Sequence, residues 1–483
     1  MFPRTDKIAG AAAWAPAALY LLTVALLGRQ TVGDGYDGVG FVLAIDAFDL
    51  VRFQPQPPGY PLLVALGRLI HACGIPAAAA LALVNAGLLG AGIAACAGAL
   101  RRAAGSPVAV LWSLLLALSP LCWALAIATL SDGAGLGALL LALSLLAQDR
   151  PAALRAAGLV CAAALGLRPP YAPLVFMLIG AFGIWRGWRK MAHVCLFALI
   201  GTLLWLVPFS WLVGPADLWR LSTAHLRGHF NTFGGPALAE PATSARVLSL
   251  ISGLWEAALG PCALLAGILL GLALWIRPPR QLPSSCVRLI GSLLAALAIY
   301  AVWAMFGLSV SGPARHLLPA VVMLVALLAV VMGQALQVQG SGRARALLAA
   351  GVGLLSCLLG ISSARSIWAF RQPSPGAALA DYVAAHHPPG TLLYGAAAAR
   401  FLDLHWGSGS AHQTRLFGDI LVEAERLDRL PAEVLLTSEV QAASAHRLRT
   451  LAKFCFHPLL PAALRFEIHP SQCVELRSYR FER

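Results

Sequence analysis

Apolar runs of about 20 residues recur down most of this chain, with short arginine-bearing stretches between them. With 59% hydrophobic and 12% charged residues, the chain lacks the polar surface that a soluble bundle of core helices needs. The fold class expected is a polytopic α-helical membrane protein.

The formal net charge of +14 would suit a nucleic-acid binder, but its placement argues otherwise. Arg101, Arg102, Arg150, Arg155, Arg186, Arg189, Lys190, Arg277, Arg280, Arg288, Arg343 and Arg345 fall after every second apolar segment. That is the positive-inside pattern of membrane topology. No basic stripe with interleaved aromatics is present, so nucleic acid is excluded as a partner.

Spans are expected near 8–28, 77–100, 107–127, 133–148, 192–213, 257–276, 289–310, 317–337 and 346–363. Two more flank a polar break at Gly166-Leu167-Arg168-Pro169-Pro170-Tyr171, which makes about eleven. The segment 8–28 is long for a signal-peptide core and reads as a retained helix. A cytoplasmic N-terminus and an odd count then place the C-terminus outside. The membrane module is drawn as 1–363, with outer loops at 29–75 and 214–256. The first loop holds two amphipathic or re-entrant segments.

The tail, 364–483, is richer in charge and carries apolar runs of strand length. Residues 391–394 and 434–437 read as buried strands, 465–468 with 474–481 as a closing pair, and 376–386 and 418–429 as helices. This is a small α/β domain, expected to be extracytoplasmic. Cys455 and Cys473 could pair there, whereas the cysteines inside spans act as small hydrophobes.

Function points to the first loop, Gly33-Asp34-Gly35-Tyr36-Asp37-Gly38, followed by Gln54-Pro55-Gln56-Pro57-Pro58-Gly59-Tyr60-Pro61. Its glycines match a dinucleotide fingerprint formally. However, a membrane helix precedes them, and two aspartates stand where a pyrophosphate would approach. The glycines instead let the backbone turn and bring Asp34 and Asp37 to a partner. Asp37, at the mouth of the bundle, suits a general base for an incoming hydroxyl or a ligand for a divalent cation. Asp46 and Asp49 read as solvated.

Asp132 should lie at the same surface, either as a helix N-cap or as part of the site, and it is a second candidate metal ligand. Arg168 breaks an apolar segment and needs a partner. Arg315 and His316 lie against the positive-inside trend, which suggests a phosphate or acidic partner. His225 and His229, four apart, read as a surface pair in the second loop. No metalloprotease, serine-hydrolase or Walker motif occurs.

At these residues the chain resembles the GT-C superfamily of membrane glycosyltransferases, which take sugars from polyprenyl-phosphate donors. The acidic loop followed by Gln56-Pro-Pro-Gly-Tyr60-Pro is most similar to the protein O-mannosyltransferase-like branch. The resemblance covers about 1–360. It implies a carboxylate base acting with inversion at the sugar, at the position of Asp37 or, alternatively, Asp34. Gln56 replaces the usual histidine of that motif and can hydrogen-bond without carrying charge.

The expectation is an inner-membrane glycosyltransferase of the cell envelope. Arg168, Arg315 and His316 would hold the donor phosphate, and Asp132, Gln56 and Tyr60 would shape the site. A Mg or Mn ion is a candidate cofactor, and the acceptor is a glycan, lipid or protein. Two alternatives stay open: a flippase or transporter of lipid-linked sugars, and a non-catalytic scaffold. The first needs mid-membrane charges and internal repeats, neither of which is evident.

Overall fold

The computed structural model describes residues 3–27, 36–148, 150–233, 243–257, 260–307, 313–338, 342–372, 374–388, 391–395, 402, 404, 413–416, 433–437, 448–455 and 473–480. In chain order the helices are α1 (Pro3–Leu27), α2 (Tyr36–Asp46), α3 (Pro61–His71), α4 (Ala77–Ala104), α5 (Ser106–Ala117), α6 (Pro120–Ile127), α7 (Asp132–Leu146), α8 (Pro151–Leu167), α9 (Ala172–Arg186), α10 (Trp188–Val213), α11 (Pro215–Gly228), α12 (Thr243–Ala257), α13 (Pro261–Ile276), α14 (Ser284–Gly307), α15 (Leu318–Leu336), α16 (Gly342–Phe370) and α17 (Pro375–His386). Many begin with proline in the first turn, where its missing N–H costs nothing.

Among the described residues, six helices are long and apolar enough to cross a membrane, and two bent pairs bring the number to eight. The remaining three of the eleven expected spans are α7, α8 and α9, which are only 15, 17 and 15 residues long. They are short because they stop at polar breaks. The break before α7 and the Arg168 break between α8 and α9 meet at one end of the bundle.

Buried Asn85 of α4 supports the first break. Its amide donates to the carbonyls of Ala128 (3.1 Å) and Leu130 (2.6 Å), and its Oδ1 accepts from the Ala134 N–H at 2.7 Å. One side chain thus satisfies backbone groups that neither α6 nor α7 can pair. Behind it α4 and α7 pack backbone to backbone. A Cβ on Gly137 would overlap the Leu88 carbonyl, and one on Gly92 would overlap Gly137.

The basic loops gather at the opposite end. Arg277 after α13 donates to Gln334 Oε1 at 3.1 Å and to its carbonyl at 3.0 Å. Gln334 of α15 and Gln337 just after it both donate to the carbonyl of Ala104, beside Arg101 and Arg102. The bundle is therefore polar in two different ways at its two ends.

The first loop folds as a hairpin of α2 and α3. Arg68 of α3 donates to the carbonyls of Ile45 (2.9 Å) and Ala44 (3.0 Å), capping the end of α2. Asp49 closes the connecting turn, accepting from Val51 N–H at 2.9 Å, and Asp46 is exposed beside His71, as expected of a solvated residue.

The tail forms a five-stranded sheet of β1 (Leu392–Gly395), β2 (Gln413–Leu416), β3 (Glu433–Thr437), β4 (Leu448–Cys455) and β5 (Cys473–Arg480), in the order β2-β1-β3-β5-β4. β1 runs parallel to β2 and β3, while β5 is antiparallel to β3 and β4. Leu379 and Val383 of α17 close a small core over Leu393, Leu435, Val474 and Leu476. Cys455 and Cys473, cross-strand partners, form a disulfide. Strands β1, β3 and β5 and helix α17 match the sequence reading. The segments expected at 418–429 and 465–468 lie outside the described residues.

Candidate active site

At the end of the bundle where the short helices stop, a cavity of about 500 Å³ opens. Its lining includes Asp37, Gln56, Tyr60, Arg168, Arg315 and His316, so six of the eight expected site residues share one space. Asp132 lies directly behind it, and Asp34 falls outside the described residues.

Asp37 sits in the first turn of α2, where the helix dipole favours a carboxylate. Its Oδ2 accepts from Arg315 Nη2 at 2.8 Å. Arg315 belongs to a single 3₁₀ turn, Pro313–Leu317, that leads into α15. The two side chains are 25% and 15% exposed, so this pair is partly shielded yet open to the cavity.

The second pair is closed. Arg168 Nη2 lies 2.8 Å from Asp132 Oδ1, with side chains 6% and 0% exposed. Arg168 also donates from Nη1 to Ser131 Oγ at 2.6 Å and stacks its guanidinium on the Tyr171 ring at 4.9 Å. The contact with Asp132 is an ion pair without hydrogen-bond geometry, and both Asp132 oxygens lack a hydrogen-bond donor among the described residues. Ser131, not Asp132, occupies the N-cap position, and no side chain caps α7 there. Asp132 therefore compensates a buried arginine, and the capping reading does not describe it.

His316 joins the pairs. Its Nδ1 is 3.3 Å from Arg168 Nη2, and its Nε2 is 3.3 Å from Arg315 Nε. The phenol of Tyr300 on α14 donates to the His316 carbonyl.

The proline-rich loop supplies another wall. Gln56 is 8% exposed. Gly59 has φ +108°, and a Cβ there would fall 2.6 Å from the Phe209 ring, so only glycine fits. Tyr60 precedes α3 with φ 49° and packs edge-on against Phe41 at 4.8 Å between ring centroids.

His225 and His229 also line the cavity, which corrects the surface-pair reading. Helix α11 carries one polar face and folds back over the site, turning both rings inward. His229 Nε2 lies 3.1 Å from the Gly307 carbonyl. Burial pushes His225 below its ordinary value of 6.5, so it is neutral at pH 7. Ser131, Tyr171, Tyr300 and Asn85 were not singled out from sequence. A lone asparagine in an apolar run is the one signal that could have marked Asn85.

Asp37 and Asp132 each face a guanidinium, and the Asp132 oxygens are sealed from solvent. No group of three or more His, Cys, Asp or Glu side chains among the described residues is placed to hold a metal.

No family model matches the chain, and no curated protein sequence matches it. Solved structures do. Two crystal structures of ArnT from Cupriavidus metallidurans align over 95% of this chain and 96% of theirs, each with TM-score 0.52. The chain has the fold of ArnT. Identity is 14% to the form bound to undecaprenyl phosphate and 15% to the apo form, so the likeness is one of architecture. It extends over nearly the whole of both chains.

Proposed function

We propose that the protein is a membrane glycosyltransferase that moves a sugar from a polyprenyl-phosphate donor to an acceptor hydroxyl, with Asp37 as general base. The observation that carries this reading is the Asp37–Arg315 contact of 2.8 Å on the cavity wall. It sets a proton acceptor beside a cation, the two groups that an inverting transfer from a phosphate leaving group requires.

In this reading Asp37 removes the proton of the acceptor hydroxyl. The oxygen attacks the anomeric carbon from the face opposite the phosphate, and the carbon–oxygen bond to phosphate breaks with inversion. The departing phosphate gains a negative charge, which Arg315 stabilises. Asp34 is an alternative base in the same loop. Charge neutralisation comes from arginine, and no step is assigned to a metal ion.

The ArnT structure with undecaprenyl phosphate supports a donor of this lipid class. So does an apolar groove of about 440 Å³, walled by Trp205, Leu206 and Phe209 of α10, which shares Pro58, Pro169 and Ser222 with the cavity. A prenyl tail fits such a lining. The Gln56–Pro61 loop favours kinship with the protein O-mannosyltransferase-like branch. Arginines at the far end and the sheet disulfide support an inner-membrane protein with its site and sheet domain outside. The acceptor is a glycan, lipid or protein.

The test is transfer of radiolabelled sugar from polyprenyl-phosphate donors in membranes carrying wild type or Asp37→Ala at matched expression. Label should reach an acceptor with wild type alone. Equal transfer by the variant would remove Asp37 as base, and no transfer from any donor by wild type would overturn the enzyme reading.

A further inference from the structure

Among the described residues, tryptophans either spend their indole N–H on a carbonyl or stand outward, and Trp303 of α14 does neither. Trp112 and Trp205 donate to the carbonyls of Ile93 (3.0 Å) and Ala162 (3.1 Å), and Trp123 to that of Ala117. Trp211, Trp219 and Trp275 are 73–78% exposed, as suits rings at a membrane interface. Trp303 is half-buried and lines the cavity. Its N–H has no hydrogen-bond partner among the described residues, yet it is not sealed from its surroundings. A tryptophan that only filled the core would have found an acceptor.

The ring is held from one side. A Cβ on Gly307, four residues on, would fall 2.6–2.7 Å from three atoms of its six-membered ring. Three nearly equal distances place the Gly307 backbone against one face of the indole, where no side chain fits. Gly307 is itself pinned, its carbonyl accepting from His229 Nε2 at 3.1 Å, and the Met305 carbonyl accepts from Arg246 at 3.3 Å. The opposite face is what Trp303 brings to the cavity. Other rings of the lining are engaged. Tyr60 packs on Phe41 at 4.8 Å, Tyr171 lies under the Arg168 guanidinium at 4.9 Å, and Phe230 meets His229 at 5.1 Å. Tyr300 is 3% exposed. Trp303 has no aromatic or cationic ring partner among the described residues.

We infer that Trp303 is a specificity-determining residue for the donor sugar, the open face of its indole stacking on the C–H face of a hexopyranose. The inference rests on the donor reading above and deepens it. A pyranose chair presents axial C–H bonds, whose positive polarisation suits the negative face of an aromatic ring. Position favours the sugar over the rest of the donor. Trp303 lies three residues from Tyr300, about 4.5 Å along the helix axis. Tyr300 donates to the carbonyl of His316, next to Arg315. A ring bonded directly to a phosphate at Arg315 stands within that reach. The apolar groove on α10 that suits the prenyl tail does not include Trp303.

The experiment measures binding of undecaprenol, undecaprenyl phosphate and undecaprenyl-phosphate-linked glucose and mannose to the full-length protein in nanodiscs. Wild type should bind at least one hexose-bearing lipid about tenfold more tightly than undecaprenyl phosphate, the size of one well-packed aromatic contact. Trp303→Leu keeps apolar bulk without a ring face. It should lose that increment and bind undecaprenyl phosphate as wild type does. Trp303→Phe, which restores a smaller face, should recover part of the loss. If Trp303→Leu keeps the increment, or weakens undecaprenyl phosphate just as much, the stacking role is wrong and the donor reading stands. A wild type that prefers undecaprenyl phosphate to undecaprenol but gains nothing from either hexose would also overturn the stacking alone. No preference for undecaprenyl phosphate over undecaprenol would overturn the donor reading and the stacking with it.

Discussion

The carboxylate of Asp37 and the guanidinium of Arg315 meet at 2.8 Å across 278 residues of chain. One residue opens α2 and the other lies in the turn that leads into α15, so the contact joins the start of the bundle to its later part. It also sets the geometry of the proposed chemistry, because one cation orients the base and faces the departing phosphate.

That dual contact makes the charge of Arg315 matter more in the transition state than in binding. Arg315→Gln keeps amide donors and removes the charge. It should lower kcat by about two orders of magnitude, in the range found for loss of one stabilising donor, and change the donor KM little. Steady-state kinetics with a polyprenyl-phosphate sugar measures the split.

Asp132 carries a different burden. With its side chain fully buried against Arg168, Asp132→Asn leaves an uncompensated cation in the bundle, at a cost of about 3–5 kcal/mol. Thermal unfolding in detergent should show the loss. The double variant Asp132→Asn, Arg168→Met should regain most of the stability while transfer stays low, since the cavity loses the cation that Arg168 supplies to its wall.

Neutralisation by arginine predicts indifference to chelation. Transfer in membranes washed with EDTA should equal that of untreated membranes, and added Mg or Mn should not raise it. A requirement for either ion would show that groups beyond those described complete a metal site.

The neutral state of His225 sets an acid limit. Its folded value lies below 6.5 because burial disfavours the charged ring. Just below pH 6.5 the unfolded chain therefore binds more protons than the folded one, and stability falls as pH drops through that window. His225→Gln should flatten this part of the stability–pH curve, read by thermal unfolding between pH 7 and pH 5.

The helical spans were legible because a run of apolar residues has few other places to go. Arg168 announced a partner for the same reason. The partner's identity was not legible, since Asp37 and Asp132 were both candidates and only tertiary packing assigns Asp132 to Arg168 and Asp37 to Arg315. The sequence makes His225 and His229 a surface pair because a loop between spans ordinarily faces water, whereas α11 turns back over the cavity. Strands β2 and β4 escaped notice because Arg415, Arg449 and Lys453 interrupt their apolar pattern, and their pairing is supplied by neighbours distant in sequence. The roles of Asn85 and Tyr300 depend on carbonyls that they reach only in the folded bundle.

The backbone contact of α4 with α7 has a bearing on where such a protein tolerates change. In the apolar stretch of α4, 72% of residues are buried, against 11% in α10 and 11% in α14. The cavity thus has an inner wall, locked where Gly92 and Gly137 admit no side chain, and an outer wall whose helices turn most of their side chains away from the protein. Tolerance to mutation falls to those outward side chains. Variation along them can proceed while the inner wall that holds Asp132 and Arg168 keeps its shape.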